Sequence, residues 1–325
     1  MTRTASGVSS MSHHRADGRR RRRNQLLCAA LVLSSLLAGW GAPASSAVKQ
    51  RTFASLEEAA SALVDALRTG DPKALLAVLG AHGKELVSSG DPVADRRYRE
   101  RFVTEYDEEH RFEGGGGKVV LSVGHEDFPF AIPLVPDGVN WRFDTAAGKE
   151  EILNRRIGQN ELNTIQVVLA YVDAQHEYYA RDPDKSGGLE YAQKFASSPG
   201  QRDGLYWPVR PGEPQSPLGP FVAGARSEGY SKRSSAPVPY WGYYYRILTA
   251  QGKNAPGGAY DYLAHGRMIG GFAIVAYPAQ WGVSGVMTFV ANHEGVVYQK
   301  DLGPNTAAIA RAMKEFNPDS TWQKV

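Results

Sequence analysis

Asn160–Arg181 reads NELNTIQVVLAYVDAQHEYYAR, and this stretch decides the fold. Leu162, Ile165, Leu169, Val172, His176 and Tyr179 recur at intervals of three and four, which aligns them along one side of a 3.6-residue helix. Such a face must be covered to be stable. The stretch able to cover it is the Tyr-, Val- and Gly-rich region from Gly242 to Asp301, so a helix laid across an antiparallel sheet is expected.

Upstream of that helix the chain alternates caps and apolar faces. Ser55 and Glu58 form a capping box, with Leu56, Ala59, Ala60, Leu63, Val64 and Leu67 as the buried face and Thr69-Gly70 as the stop. Asp71-Pro72 starts a second, short helix, since the carboxylate caps and proline suits the first helical position. Asp91-Pro92 repeats the device for a longer helix that reaches about Arg111, and Gly114 to Gly117 end it. Short strands follow in KVVLSVG from Lys118, FPFAIPLV from Phe128 and VNWRFDT from Val139, the last two joined at Pro136-Asp137-Gly138. Residues 150–157 are expected to form a linking helix, separated from the organising helix by Gly158.

Downstream, Asp182 to Pro239 is dense in Gly, Pro and Ser and reads as ordered loops with one short helix around Tyr191 to Phe195. Strands resume in GYYYRILTA from Gly242, GGFAIVAYP from Gly270 and SGVMTFVAN from Ser284, and Asn292 to Gly295 turns the chain into VVYQKDLG. Thr306 to Phe316 closes as a helix. The fold class is therefore α+β, in two domains.

The chain has 325 residues, ample for two domains, and 42% hydrophobic with 22% charged residues marks it as globular. Residues 1–47 read as an export signal: Arg19 to Arg23 are the charged region, Leu26 to Ala38 the apolar one, and Ala42-Pro43-Ala44 and Ser45-Ser46-Ala47 the small-residue cleavage sites. Cleavage is expected after Ala47, with an uncleaved anchor as the competing reading. The whole chain carries +3, but the leader holds seven Arg and one Asp, so its loss leaves 30 basic and 33 acidic residues. That slightly acidic remainder lacks the electrostatic footprint of a nucleic-acid binder. Cys28 is the only cysteine and departs with the leader, so no disulfide or thiolate chemistry is expected of the mature chain.

Three resemblances extend these readings. Phe53 to Ile152, with LRTGDPKALLAVLG and the closing WRFDTAAG, resembles the cone-shaped domains of the nuclear-transport-factor-2-like group, which implies a pocket between sheet and helices. The organising helix, the loop Asp182-Pro183-Asp184, and then GYYYRI, FAIVAYP and SGVMTFVANHEGVVYQ resemble the globular part of pilins and pseudopilins. The chain lacks the apolar N-terminal half of a true pilin helix and its Gly-Phe processing site, so filament assembly by that route is not implied. Both halves together, with LVSSGDPVAD, DGLYWP, QSPLGP and GRMIGGFA, are identified as a member of a bacterial exported family known only as a domain of unknown function. The layout expected is residues 1–47 leader, 48–147 cone-like domain, 148–159 linker helix and 160–325 pilin-like domain.

Candidate sites are few. Asp182, Asp184, Ser186 and Glu190, with Gly187 and Gly188 between, have the order of oxygen ligands on a tight calcium-type loop. The distal bidentate Glu is replaced by Gln193, and an Asx-turn with a helix cap accounts for the same residues. Pseudopilin loops that hold calcium add to the calcium reading through the resemblance alone. Tyr206, Trp207, Tyr240 and Trp241 could present a stacking surface to a sugar or partner protein, but strand alternation at Tyr243 to Tyr245 favours core packing for most of this aromatic group. Arg267, in GRMIGG, could hold an anion.

Neither a nucleophile elbow, nor a phosphate loop, nor a chelating histidine spacing is present. The expected function is thus a periplasmic or secreted, non-enzymatic binding or assembly protein, with no transmembrane segment once the leader is cleaved. Its expected partners are an envelope or extracellular protein or a surface polymer, met by the strand Val296 to Lys300 if that strand is a sheet edge. Two alternatives stand: a hydrolase-type enzyme using the cone pocket, and a calcium-dependent surface adhesin.

Overall fold

A computed structural model describes residues 49–115, 117–183, 187–230 and 237–325. The expected leader at residues 1–47, with its expected cleavage after Ala47, lies outside the described residues. The first helices follow their caps. In α1 (Leu56–Thr69) the Ser55 hydroxyl accepts from the Glu58 amide at 3.1 Å, and Gly70 closes the helix in the left-handed region at φ 63°. In α2 (Pro72–Leu79) Asp71 accepts from the Lys73 amide, and a single turn, α3 (Lys84–Val87), follows.

Helix α4 (Pro92–Glu108) stops earlier than its sequence suggests. His110–Gly115 is instead a strand, β1, because it pairs antiparallel in full register with β2 (Lys118–Val123), with His110 opposite Val123 and Gly115 opposite Lys118. Next come β3 (Phe128–Pro129), β4 (Leu134–Asp137) and β5 (Asn140–Phe143), and the sheet runs β1-β2-β4-β5 with β3 beside β2. FPFAIPLV is thus two strand pieces; the intervening Ala131 and Ile132 leave the ladder, and Ile132 turns fully inward. Phe53, Leu63, Leu75, Ile132, Leu134 and Phe143 are among the buried residues that join α1 and α2 to this sheet.

The next helix, α5, spans Thr145–Arg181, 37 residues without a break. Gly158 lies within it, so the expected linker helix and organising helix are one. A single exposed glycine weakens a helix by only about 1 kcal/mol relative to alanine, too little to end one held at both ends by packing. The start of α5 is tight: a Cβ on Gly148 would sit 2.3 Å from the Ala131 carbonyl oxygen, so only glycine lets the helix pass that close.

After α5 comes α6 (Gly219–Ser227). The short helix expected near Tyr191 is absent there; Tyr191 bridges to Met268 as extended chain. The second sheet is built from β6 (Tyr243–Leu248), with the small strands β7 (Ala250–Gln251), β8 (Tyr260–Asp261), β9 (Leu263–Ala264) and β10 (Arg267–Met268) forming two side ribbons. Then follow β11 (Ala273–Pro278), β12 (Met287–Asn292), β13 (Val297–Asp301), helix α7 (Thr306–Ala312) and β14 (Gln323–Lys324). The order is β14-β13-β12-β11-β6, all antiparallel. β13 therefore lies between two strands, and the edge that would have received a partner strand is covered by β14.

Helix α5 packs on β11, β12 and β13, as its amphipathic pattern demands, while α7 packs against β11. The buried stripe is wider than the expected one: Val172 is buried and Ile165 and Leu169 pack against the core as expected, but polar residues share the face. Asn160, Thr164, Val168, Tyr171, Gln175 and Tyr178 are buried, whereas Leu162 is 63% exposed and His176 is at the surface. The apolar pattern misled because polar residues on the true face are pinned by specific bonds: Asn160 Nδ2 donates to the Ser284 carbonyl at 2.9 Å, and Gln175 exchanges hydrogen bonds with the backbone of Ala192 at 2.7 and 2.8 Å. Tyr243 and Tyr245 share the α5 side of the sheet. The Tyr243 hydroxyl donates to the Met287 carbonyl at 2.9 Å and the Tyr245 hydroxyl approaches Thr164 at 3.3 Å. Tyr244, on the other face, packs on Tyr277. The fold is α+β, and the described residues from 49 onward group as one compact unit in which the two sheets keep separate core clusters.

Candidate functional site

A cavity of about 520 Å³ lies in the N-terminal layers between the helices and the first sheet. That volume is in the range of small-molecule sites, roughly 300–1,000 Å³. Its inner wall is aliphatic: Leu63 from α1, Leu75 and Leu79 from α2, and Ile132 from the bent segment between β3 and β4. Phe102 and Phe130, ring centroids 5.2 Å apart, close one side, and Ile152 from α5 closes another. The one-sided apolar helices create this wall, and the departure of Ala131 and Ile132 from the ladder opens the space behind it.

The mouth is polar, and its charges are mostly engaged. Arg101 pairs with Glu105 at 2.7 Å. Arg155 pairs with Glu151 at 2.6 Å while its guanidinium lies 4.8 Å from the Phe128 ring. Arg156 donates to the Glu85 and Leu86 carbonyls at 3.0 and 2.8 Å, so α5 is tied to the end of α3; burial lowers its pKa, partly offset by nearby Asp95. Asp95 itself accepts from the Ser89 amide at 3.0 Å. Arg99 lines the same mouth with neither ion pair nor hydrogen bond among the described residues, its guanidinium lying against Gly70. Tyr98 beside it keeps a hydroxyl with no hydrogen bond among the described residues, and burial raises that phenol.

A second polar constellation, at Asp91, ties distant segments together. Its Oδ1 caps α4 by accepting from the Val93 and Ala94 amides, both at 3.1 Å. Its Oδ2 accepts from the Tyr230 hydroxyl at 2.8 Å and the Gly242 amide at 2.9 Å. The carboxylate is fully buried, and the desolvation that follows raises its pKa in spite of four donors. Arg97 flanks it, pairing with Glu228 at 3.0 Å and lying 4.4 Å from the Trp241 ring.

The residues singled out in the sequence fall in separate places. Tyr206 and Trp207 line a smaller pocket of about 230 Å³ with Arg226, which stacks on Tyr206 at 5.2 Å. Tyr240 and Trp241 belong to the Asp91 neighbourhood, Tyr240 packing on Tyr230 at 4.7 Å, so the four aromatic residues do not form one platform. Arg267 pairs with Glu190 at 3.4 Å, so an ion using Glu190 would have to displace an arginine. Asp182 ends α5 in the left-handed region at φ 42°, and Asp184 and Ser186 lie outside the described residues. Among the described residues no group of three or more His, Cys, Asp or Glu is placed to hold a metal ion. No described helix is long and apolar enough to cross a membrane. The pocket-lining Arg99 and Arg156 carried no sequence signal of their own; the resemblance to a cone-shaped domain was the one pointer toward a cavity here.

Compared with known proteins, the chain matches one family, described as "Protein of unknown function (DUF2950)", over residues 50–325. The chain belongs to that family. No curated protein and no solved structure matches it.

Proposed function

We propose that this DUF2950 family member is an exported, non-enzymatic binding protein, periplasmic or secreted, whose cavity beneath the start of α5 takes up a small, largely apolar molecule. The observation that carries this reading is the cavity itself, about 520 Å³ with walls of leucine, isoleucine and phenylalanine. A void of that size bounded by apolar side chains forgoes packing energy that a ligand restores. In this reading the first sheet and its helices are a cone of the nuclear-transport-factor-2-like kind, the second sheet under α5 is a pilin-like scaffold, and export rests on the leader at residues 1–47. What favours binding over hydrolysis is that the two carboxylates at the mouth, Asp95 and Glu105, are each held by a donor.

The test is titration with the neutral apolar fluorophore N-phenyl-1-naphthylamine. Saturable enhancement is expected with the wild type and its loss in a Leu67→Trp/Val87→Trp variant, which places two indoles in the cavity. Undiminished binding by that variant, or none by the wild type, rules the reading out.

A further inference from the structure

The cavity is built asymmetrically: aliphatic at its inner end, cationic at its mouth. Four arginines and two carboxylates line it, and the engaged charges cancel locally. Arg101 is balanced by Glu105, Arg155 by Glu151, and Arg156 spends its donors on two carbonyls near Asp95. Arg99 is left with its planar fork uncommitted, one turn of α4 from Phe102, which borders the apolar part. A guanidinium is always charged and its paired donors match a carboxylate bidentately. One uncommitted cation balances one negative charge; a phosphate dianion would call for a second.

From this juxtaposition we propose that the ligand is a single-chain carboxylate amphiphile, a fatty-acid-type molecule, with its alkyl chain among Leu63, Leu75, Leu79 and Ile132 and its head on Arg99, assisted by the Tyr98 hydroxyl. The proposal rests on the binding reading above and adds the charge and polarity of the occupant. The aromatic pocket at Trp207 is smaller and its arginine already stacks on Tyr206, so the N-terminal cavity is the better match for a chain with an anionic end.

Displacement of N-phenyl-1-naphthylamine by dodecanoate and by dodecanol separates the two proposals. Dodecanoate is expected to compete at about one-tenth the concentration of dodecanol, or less, since a charge-assisted pair replaces a neutral contact. Dodecyl phosphate is expected to gain nothing over dodecanoate. Arg99→Met, which keeps an unbranched stem, is expected to erase the preference and leave dodecanol unchanged; Arg99→Lys restores part of it. Equal competition by dodecanoate and dodecanol in the wild type, or a preference that survives Arg99→Met, overturns the carboxylate assignment while leaving an apolar binding site standing. Displacement by neither overturns both.

Discussion

Replacing Asp91 by alanine removes one side chain and orphans donors from three parts of the chain. The Val93 and Ala94 amides lose their cap, which costs about 1 kcal/mol. The Tyr230 hydroxyl and Gly242 amide, both at buried residues, lose their acceptor, at roughly 1–3 kcal/mol each. The carboxylate's own desolvation is relieved, which trims the total, so a net loss of about 3–5 kcal/mol is expected.

Tyr230→Phe removes the bond to Oδ2 and the longer one that the hydroxyl accepts from the Trp241 amide at 3.3 Å, and leaves Gly242 to hold Oδ2, so it should cost about 1 kcal/mol. The assay is equilibrium urea unfolding by intrinsic fluorescence, read at constant slope. The sign of the pH dependence is fixed as well. Burial raises the Asp91 pKa above 3.8, so its contribution is greatest below the unfolded value and declines as pH rises through the folded one. The gap between wild type and Asp91→Ala should therefore widen on acidification toward pH 4. A loss below about 1 kcal/mol for Asp91→Ala, equal to that of Tyr230→Phe, would refute the idea that this carboxylate clasps α4 to the later segments.

Three further outcomes follow from single sites. Gly158 lies inside α5 with open space where a Cβ would project, so Gly158→Ala should stabilise by roughly 0.5–1 kcal/mol, visible as a raised Tm. Gly285 lies against the Tyr243 ring, where a Cβ would come within 2.1 Å of the hydroxyl oxygen and 2.5 Å of the ring carbon that bears it; Gly285→Ala should cost about 1–3 kcal/mol, visible as a lowered Tm. Burial lowers the His293 pKa below 6.5, so the neutral ring is favoured in the fold and stability falls as pH drops through 6.5 toward the folded value; His293→Gln should flatten that part of the Tm profile between pH 7.5 and 5.

Local chemistry made much of the fold legible. The caps at Ser55, Asp71 and Asp91 and the closing Gly70 act over three or four residues, and each performs in the structure the role its spacing announces. Alternation placed β6, β11, β12 and β13, and it set Tyr243 opposite in face to Tyr244. What escaped reading depends on distant partners. The buried face of α5 is wider than an apolar count gives because Asn160 and Gln175 find acceptors more than a dozen residues away, so polar side chains occupy core positions beside Ile165, Leu169 and Val172. His110–Gly115 joined a sheet because β2 offers a complete partner, and Asp91 gained Tyr230 and Gly242 from across the chain. The cavity was the least readable feature, since it exists where Ala131 and Ile132 step out of a ladder, and Arg99 matters there only because its neighbours are already paired.

A crystal structure of the protein grown with dodecanoate tests the central claim most directly. The account predicts one chain of density between Leu63, Leu79 and Ile132, with the carboxylate about 3 Å from the Arg99 guanidinium. Density elsewhere, or a cavity closed by inward movement of Leu86 and Val87 with no ligand in it, would contradict it.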